Sequence, residues 1–353
     1  MPVRYGIIGS GMMGWEHIRN LALIDDARVV AVADPDANSR DLARTVAPQA
    51  EIFDDHRAML DRADGLEAVV IASPNHTHAA LLHDLFGTDL HILVEKPLCT
   101  TIEDCHALLD AGARHRGLLW VGLEYRFVPT VARLIEAVRG GAVGRLRMVA
   151  IREHRFPFLV KVGNWNRFAR NTGGTLVEKC CHFFDLMALL TQQRPLRVYA
   201  SGAQDVNHLD ERYDGAVPDI LDNAFAVVDF DGGARALLDL CMFAENSENE
   251  MELAATGDAG KVEAFVPEHR LVLSRRDRLA RDEERIAIEP AIRDAGFHHG
   301  ATYYQHRAFL DAIAHRRPPA VSLADGALAV AIGLAAERSA RERRVVEMRE
   351  LGF

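Results

Sequence analysis

Residues 4–17 read Arg-Tyr-Gly-Ile-Ile-Gly-Ser-Gly-Met-Met-Gly-Trp-Glu-His. An apolar run ends at Ile8 and a helical pattern follows, so Gly9, Gly11 and Gly14 fall at G-x-G-x-x-G spacing between a strand and a helix. That context is what gives the spacing meaning. The first glycine makes the tight turn, the second lets a pyrophosphate approach the backbone, and the third lets helix and strand pack closely. The helix N-terminus offers N–H groups and a positive dipole end to phosphate oxygens. The loop Gly9, Ser10, Gly11, Met12, Met13, Gly14 therefore reads as the phosphate cradle of a dinucleotide site. Asp34 ends the next apolar run, twenty positions after Gly14, where a carboxylate meets the ribose hydroxyls. Pro35 follows and no base precedes Arg40. A carboxylate there accepts from a free 2′-hydroxyl and repels a 2′-phosphate, so NAD is expected over NADP.

Working outward, Arg4–Ile8, Arg28–Ala33, Ala68–Ala72 and His91–Val94 are continuous apolar runs, with helical patterns at Gly14–Ile24 and Asn38–Val46. Such runs suit strands buried on both faces of a parallel sheet. Strand–helix alternation predicts a doubly wound α/β Rossmann domain over residues 1–123. The character then changes. Arg147–His154 alternates, Ala224–Phe230 and Ala234–Met242 flank Asp231-Gly232-Gly233 as a β-hairpin, and Glu252–Ala255 with Lys261–Val266 form another. Residues 124–353 are expected to form an α+β domain on a mostly antiparallel open sheet. One helix, Gly174–Leu190, interrupts it, and its C-terminal helices can pack back on the Rossmann domain. Ser274–Arg285 is a mixed-charge run, read as a solvated loop or edge. Thr302–Arg338 reads as two amphipathic helices around Pro318-Pro319.

In 353 residues, 41 Lys and Arg stand against 51 Asp and Glu, a formal charge of −10. That balance argues against general nucleic-acid binding, which needs a basic face. With 49% hydrophobic and 26% charged residues, wholesale disorder is excluded. No apolar run approaches the roughly 18 residues a membrane span needs. The chain enters a strand-like run at once, without a signal-peptide pattern. Five cysteines, two of them adjacent at Cys180 and Cys181, suit reduced thiols in the cytoplasm better than a disulfide framework.

Glu95-Lys96-Pro97 follows the His91–Val94 strand, Ser73-Pro74-Asn75-His76-Thr77-His78 lies upstream, and Gly122, Arg126-Phe127, Gly173-Gly174 and His182 lie downstream. With Gly14-x-x-His17 and Asp325-Gly326, these motifs in this order resemble the glucose–fructose oxidoreductase/inositol dehydrogenase (Gfo/Idh/MocA) family over nearly the whole chain. The resemblance implies hydride transfer between nicotinamide and a hydroxyl-bearing carbon of a sugar, sugar acid or cyclitol. It implies Lys96 as catalytic lysine, His182 as second acid/base residue, and Ser73, Pro74, Asn75 and Glu95 on the nicotinamide side. His78 and Pro35 join them as cofactor-binding positions. It also implies a homo-oligomer, dimer or tetramer.

Chemistry supports these roles independently. When hydride leaves an alcohol carbon the hydroxyl proton must leave too, which requires a base within reach. A lysine at the C-terminal end of a parallel strand is correctly placed, and its charge stabilises a developing alkoxide. On a single helix Glu178 and His182, four apart, would share one face. Glu178 is there a catalytic candidate that orients the His182 imidazole or joins it in contacting substrate hydroxyls; the competing reading is a helix-surface ion pair or a core histidine. Family members commonly carry Asp where Glu178 stands. The variant Glu178-Lys179-Cys180-Cys181-His182 points as well to a carboxylated or otherwise unusual sugar, with Lys179 either a second cation near the site or a solvent-facing residue. Asn164, Trp165 and Arg126 are further candidate substrate contacts; the competing readings are a core tryptophan and, for Arg126, an interdomain ion pair. No metal is expected: adjacent helix positions diverge by about 100°, and Cys180, Cys181 and His182 lack a C-x-x-C partner. Two rival functions are a redox-neutral epimerase or lyase holding NAD tightly and a non-catalytic NAD sensor, which would need no proton relay.

Overall fold

A computed structural model describes residues 1–278 and 280–353. The chain divides into two compact units, Met1–Phe127 with Glu289–Ala327, and Val128–Ile288 with Leu328–Phe353.

The first unit is built on strands β1 (Val3–Ile8), β2 (Ala27–Ala33), β3 (Glu51–Phe53), β4 (Ala68–Ile71), β5 (His91–Glu95) and β6 (Leu119–Gly122), all parallel in the order β3-β2-β1-β4-β5-β6. Every residue of β4 is buried, as expected of a strand covered on both faces. The connecting helices are α1 (Met12–Leu21), α2 (Ala37–Val46), α3 (His56–Arg62), α4 (His78–Leu85) and α5 (Ile102–Gly112). Side chains fix where three of them begin: Asp36 accepts from Ser39 N–H, Asp55 from Ala58 N–H and Thr101 from Asp104 N–H. Helix α1 has no such cap at Gly11. The strand order reverses between β1 and β4, and the loops leaving those carboxyl ends are the topological switch point.

The second unit contains α6 (Pro129–Arg139), β7 (Leu146–His154), α7 (Ala169–Thr172), α8 (Thr175–Glu178) and α9 (Cys181–Thr191). Strands β8 (Pro195–Ala203), β9 (Asn223–Phe230), β10 (Arg235–Cys241), β11 (Met251–Gly257), β12 (Gly260–Val266), β13 (Arg270–Arg275) and β14 (Arg281–Arg285) follow. Near the C-terminus come α10 (Pro290–Arg293) and α11 (Ala301–His315) of the first unit, then α12 (Leu323–Glu342) and β15 (Val346–Glu347). The nine-stranded sheet runs β14-β13-β12-β11-β7-β10-β9-β8-β15, antiparallel except between β7 and β10. Strict alternation of buried and open positions in β9 and β10 gives it one packed face. The other face carries Ala150, Leu237, Val227 and Tyr199 in one cross-strand row.

One expectation needs correction. The Gly174–Leu190 helix is two helices, broken by a turn at Lys179-Cys180, where the Lys179 ammonium is bonded to Glu153 of β7. Glu178 ends one helix and His182 lies in the next, so the two do not stand on one continuous helix. The mixed-charge run takes the edge alternative of its reading: its end forms β14, an exposed edge strand whose charges suit an edge. Leu279 within it lies outside the described residues.

Candidate active site

The glycine loop has the geometry its spacing demands. Gly9 has φ +91°, and a Cβ there would lie 2.7 Å from the Ala72–Ser73 backbone at the end of β4. A Cβ on Gly14 would lie 2.0 Å from the Gly9 carbonyl oxygen, while one on Gly11 would meet nothing within 4 Å. Gly9 and Gly14 are thus glycines for packing, and Gly11 leaves open backbone before an uncapped ten-residue helix. Asp34 is 8% exposed; its Oδ2 accepts from the Ser10 N–H at 2.7 Å and its Oδ1 from the Asp36 N–H at 2.8 Å. The carboxylate therefore locks the glycine loop to the end of β2. Arg40 donates to the carbonyls of Asp34 and Pro35, both at 2.8 Å, which turns its guanidinium back onto this corner. The open backbone at Gly11, the helix end and the oriented acid fit a dinucleotide.

At the end of β5, Glu95 is buried. Its Oε2 accepts from the Lys96 N–H at 3.2 Å and its Oε1 lies 3.0 Å from Nε2 of His17 on α1. Nδ1 of His17 is 2.9 Å from Nε2 of His306 on α11. Burial holds the His306 imidazole well below the usual histidine range, so it is neutral. His17 thus bridges His306 and Glu95, and its Nε2–H donates to the Glu95 carboxylate. Burial works against the Glu95 carboxylate, but the His17 bond and the charges around it hold its pKa below the ordinary value. His78, read from the sequence as cofactor-binding, is wholly buried with Nδ1 2.8 Å from the Pro97 carbonyl and Nε2 3.0 Å from the Ser73 carbonyl. Its ring joins the loops after β4 and β5. Ser73 Oγ is 2.6 Å from Thr77 Oγ1, and Asn75 is buried in the same turn.

Beside this lies a cluster absent from the sequence reading. Glu16 on α1, Glu124 after β6, and His298 and Thr302 near the start of α11 converge. Thr302 Oγ1 is 2.9 Å from Glu16 Oε1 and 2.6 Å from Glu124 Oε2. One hydroxyl has one proton to give, so the second contact needs a proton on a carboxyl. Burial pushes Glu124 up to about 7. Burial also works to raise Glu16, but His298, the Phe297 N–H and Thr302 outweigh it and hold that carboxyl at about 2. Thr302 accordingly donates to Glu16 and accepts from the Glu124 acid. Ligand-type atoms of Glu16, Glu124 and His298 lie within 4.8 Å of one another, and this proton placement accounts for the contacts among them without an ion.

Arg126 is 9% exposed, with Nη1 2.6 Å from the Ala320 carbonyl and Nη2 3.3 Å from Asp325, both inside the first unit. Its ion pair joins parts of that unit rather than two domains. In the second unit, Lys179 is 6% exposed and its Nζ is 2.7 Å from Glu153 Oε1, which excludes the solvent-facing reading. Glu178 and His182 are 6% and 2% exposed. Cys180 is fully buried and burial drives its thiol well above the usual range, which disfavours a thiolate ligand. Asn164 has φ +51° in an irregular turn, and Trp165 lies 6.0 Å from the Lys161 ammonium.

Residues 3–123 match the model described as "Oxidoreductase family, NAD-binding Rossmann fold", and residues 135–348 match its "C-terminal alpha/beta domain". The chain belongs to the Gfo/Idh/MocA oxidoreductase family. It is 26% identical to a myo-inositol 2-dehydrogenase of Thermotoga maritima, across 99% of both chains. It is 30% identical to the rhizopine catabolism protein MocA of Rhizobium meliloti over 67% of this chain and 70% of that one. In fold it resembles a levoglucosan dehydrogenase solved with NADH and levoglucosan, with TM-score 0.86 at 21% identity over 99% of this chain and 100% of that one. Membership makes this an NAD-binding oxidoreductase. The Gly9–Gly14 loop and Asp34 lie within the residues matched by the NAD-binding Rossmann model.

Proposed function

We propose that this protein is a dehydrogenase moving a hydride between NAD and a hydroxyl-bearing carbon of a sugar, sugar acid or cyclitol, with Lys96 handling the hydroxyl proton. The observation that carries this reading is the place of Lys96. It directly follows the buried Glu95 at the carboxyl end of β5, in the same sheet whose β1 and β4 ends form the phosphate loop and the Ser73 turn. When bound, NAD supplies the hydride acceptor. Lys96 supplies what the alcohol then needs, a group to take its proton and a positive charge to steady the alkoxide that forms on the way. Ser73, Pro74, Asn75 and Glu95 shape the nicotinamide side. His182 is assigned the second acid/base role and Glu178 a contact with substrate hydroxyls, while Asn164 and Trp165 remain candidate substrate contacts. Arg126 is instead assigned to holding the Ala320–Asp325 segment, and Lys179 to its pair with Glu153. The names of the inositol dehydrogenase relatives support the substrate class. A screen of polyols, cyclitols and sugar acids, read by NADH absorbance with NAD and NADP, tests the reading. Stoichiometric NADH is expected with at least one compound. Product without net NADH would establish a redox-neutral enzyme, and no turnover with any would favour a sensor.

The outer face of the second sheet is proposed as the subunit interface of a dimer or tetramer. Phe225 is 60% exposed, and Met148, Tyr199, Val227 and Leu237 are exposed around it on the same sheet. Apolar patches of this kind mark association surfaces. Sedimentation of a stable monomer at micromolar concentration would count against this. Five cysteines, none disulfide-bonded, support a reducing compartment, the cytoplasm.

A further inference from the structure

The Gly173-Gly174 turn opens the segment that carries Glu178 and His182. Helix α8 starts at Gly174, which has no side chain with which to cap it. The Leu176 N–H is one of the orphan donors every helix start leaves. It is satisfied from a distance: Oε1 of Glu337, on α12, accepts it at 2.8 Å. The same carboxyl explains why position 174 is glycine. Its φ is +96°, and a Cβ there would lie 2.3 Å from Glu337 Cδ. One turn earlier on α12, a Cβ on Gly333 would lie 2.7 Å from the Leu176 carbonyl oxygen and 3.1 Å from Val177 Cα. Gly333 and Glu337, at i and i+4, thus share a helix face. One leaves room for the backbone of 176–177, and the other holds its N–H. Burial pushes the Glu337 carboxyl up to about 7, against the pull of the Leu176 N–H and Arg341 and with Asp219 adding to the rise.

We infer that Glu337 is a positioning residue: by capping Leu176 it fixes the backbone from Gly174 to His182 and so the setting of the His182 imidazole. This rests on the assignment of His182 to that side. It makes no claim that Glu337 touches substrate or nucleotide.

The test compares Glu337→Ala, Glu337→Gln, Gly333→Ala and His182→Asn, each alone, and Glu337→Ala combined with His182→Asn. It uses a substrate found by the screen and measures kcat together with the Kd for NADH. Loss of a positioning contact should lower kcat by about tenfold, since small displacements of reacting groups are costly. The Kd for NADH should stay within about twofold, because the nucleotide cradle lies on other residues. Glu337→Gln keeps an oxygen acceptor for the Leu176 N–H and should recover most of kcat. Gly333→Ala presses on the same backbone without touching the carboxyl and should also lower kcat; it carries the test if Glu337→Ala does not fold. In the double variant the losses should not multiply, because residues acting through one group are non-additive. Wild-type kcat in both Glu337→Ala and Gly333→Ala, or fully multiplying losses, would overturn the inference. His182→Asn with full turnover would sink the acid/base reading of His182 and leave the Glu337→Ala and Glu337→Gln comparison to decide the positioning role.

Discussion

Nε2 of His17 lies 3.0 Å from Oε1 of Glu95, with the histidine side chain wholly buried and the glutamate's 4% exposed. The pair spans 78 residues and ties helix α1, which follows the phosphate loop, to the strand end that delivers Lys96. On the roles proposed for the loop and for Lys96, it joins cofactor binding to chemistry.

Breaking that joint should cost stability in a pH-dependent way. His17→Leu leaves the Glu95 carboxylate buried without its main partner, and losing one member of a buried pair costs about 3 kcal/mol or more. The folded-state pKa of Glu95 is below its ordinary value. Its stabilisation is therefore present above the unfolded pKa and lost as pH falls through the folded one. The urea midpoint of His17→Leu should lie well below wild type at pH 7, and the gap should narrow below about pH 4.5. A gap that does not change with pH would show that His17 serves only to fill space.

Glu124 predicts the opposite slope. Its folded pKa, about 7, is raised above the ordinary 4.5. Its contribution is full below the unfolded pKa and lost as pH rises through 7. Glu124→Gln mimics the protonated acid and can donate to Thr302 Oγ1. It should be more stable than wild type at pH 8, by up to about 3 kcal/mol, with little difference at pH 5. Thermal unfolding at the two pH values measures this, and a variant destabilised equally at both would refute the assigned proton.

We propose that Asp34 sets the nucleotide preference. Wild type should bind NAD more tightly than NADP. Asp34→Ser with Pro35→Arg should shift the preference toward NADP, helped by Arg40, which already bends onto this corner. Fluorescence titration with both reduced nucleotides checks this; tighter NADPH binding by wild type would contradict it.

The glycine loop, Asp34 and the Glu95-Lys96 strand end were legible because each is local: a turn, a strand and a helix within a few residues signal themselves. The Glu16–Glu124–His298–Thr302 cluster was not, since it closes across 282 residues between Glu16 and His298. One trace of it exists in α11, where Thr302, Gln305 and His306 are buried polar residues at helical spacing with Phe309. A polar stripe on a packed face signals partners elsewhere, though not which. The break between Glu178 and His182 was invisible for a related reason. Residues 175–191 are helical by pattern, and what accompanies the break is the buried bond from Lys179 to Glu153, 26 positions upstream. Glu337 likewise looks like one more charge on an amphipathic helix until Gly174 is seen beneath it.

The most direct test of the account is Lys96→Met, assayed for turnover and for NADH binding together. The substitution removes charge and proton while keeping much of the side-chain length. The phosphate loop and Asp34 still hold the nucleotide, so the Kd for NADH should change only slightly. Turnover should fall by about a hundredfold or more, the scale of losing a positioned acid/base group. Lost NADH binding with near-normal turnover at saturating cofactor would contradict the account and make Lys96 a cofactor anchor.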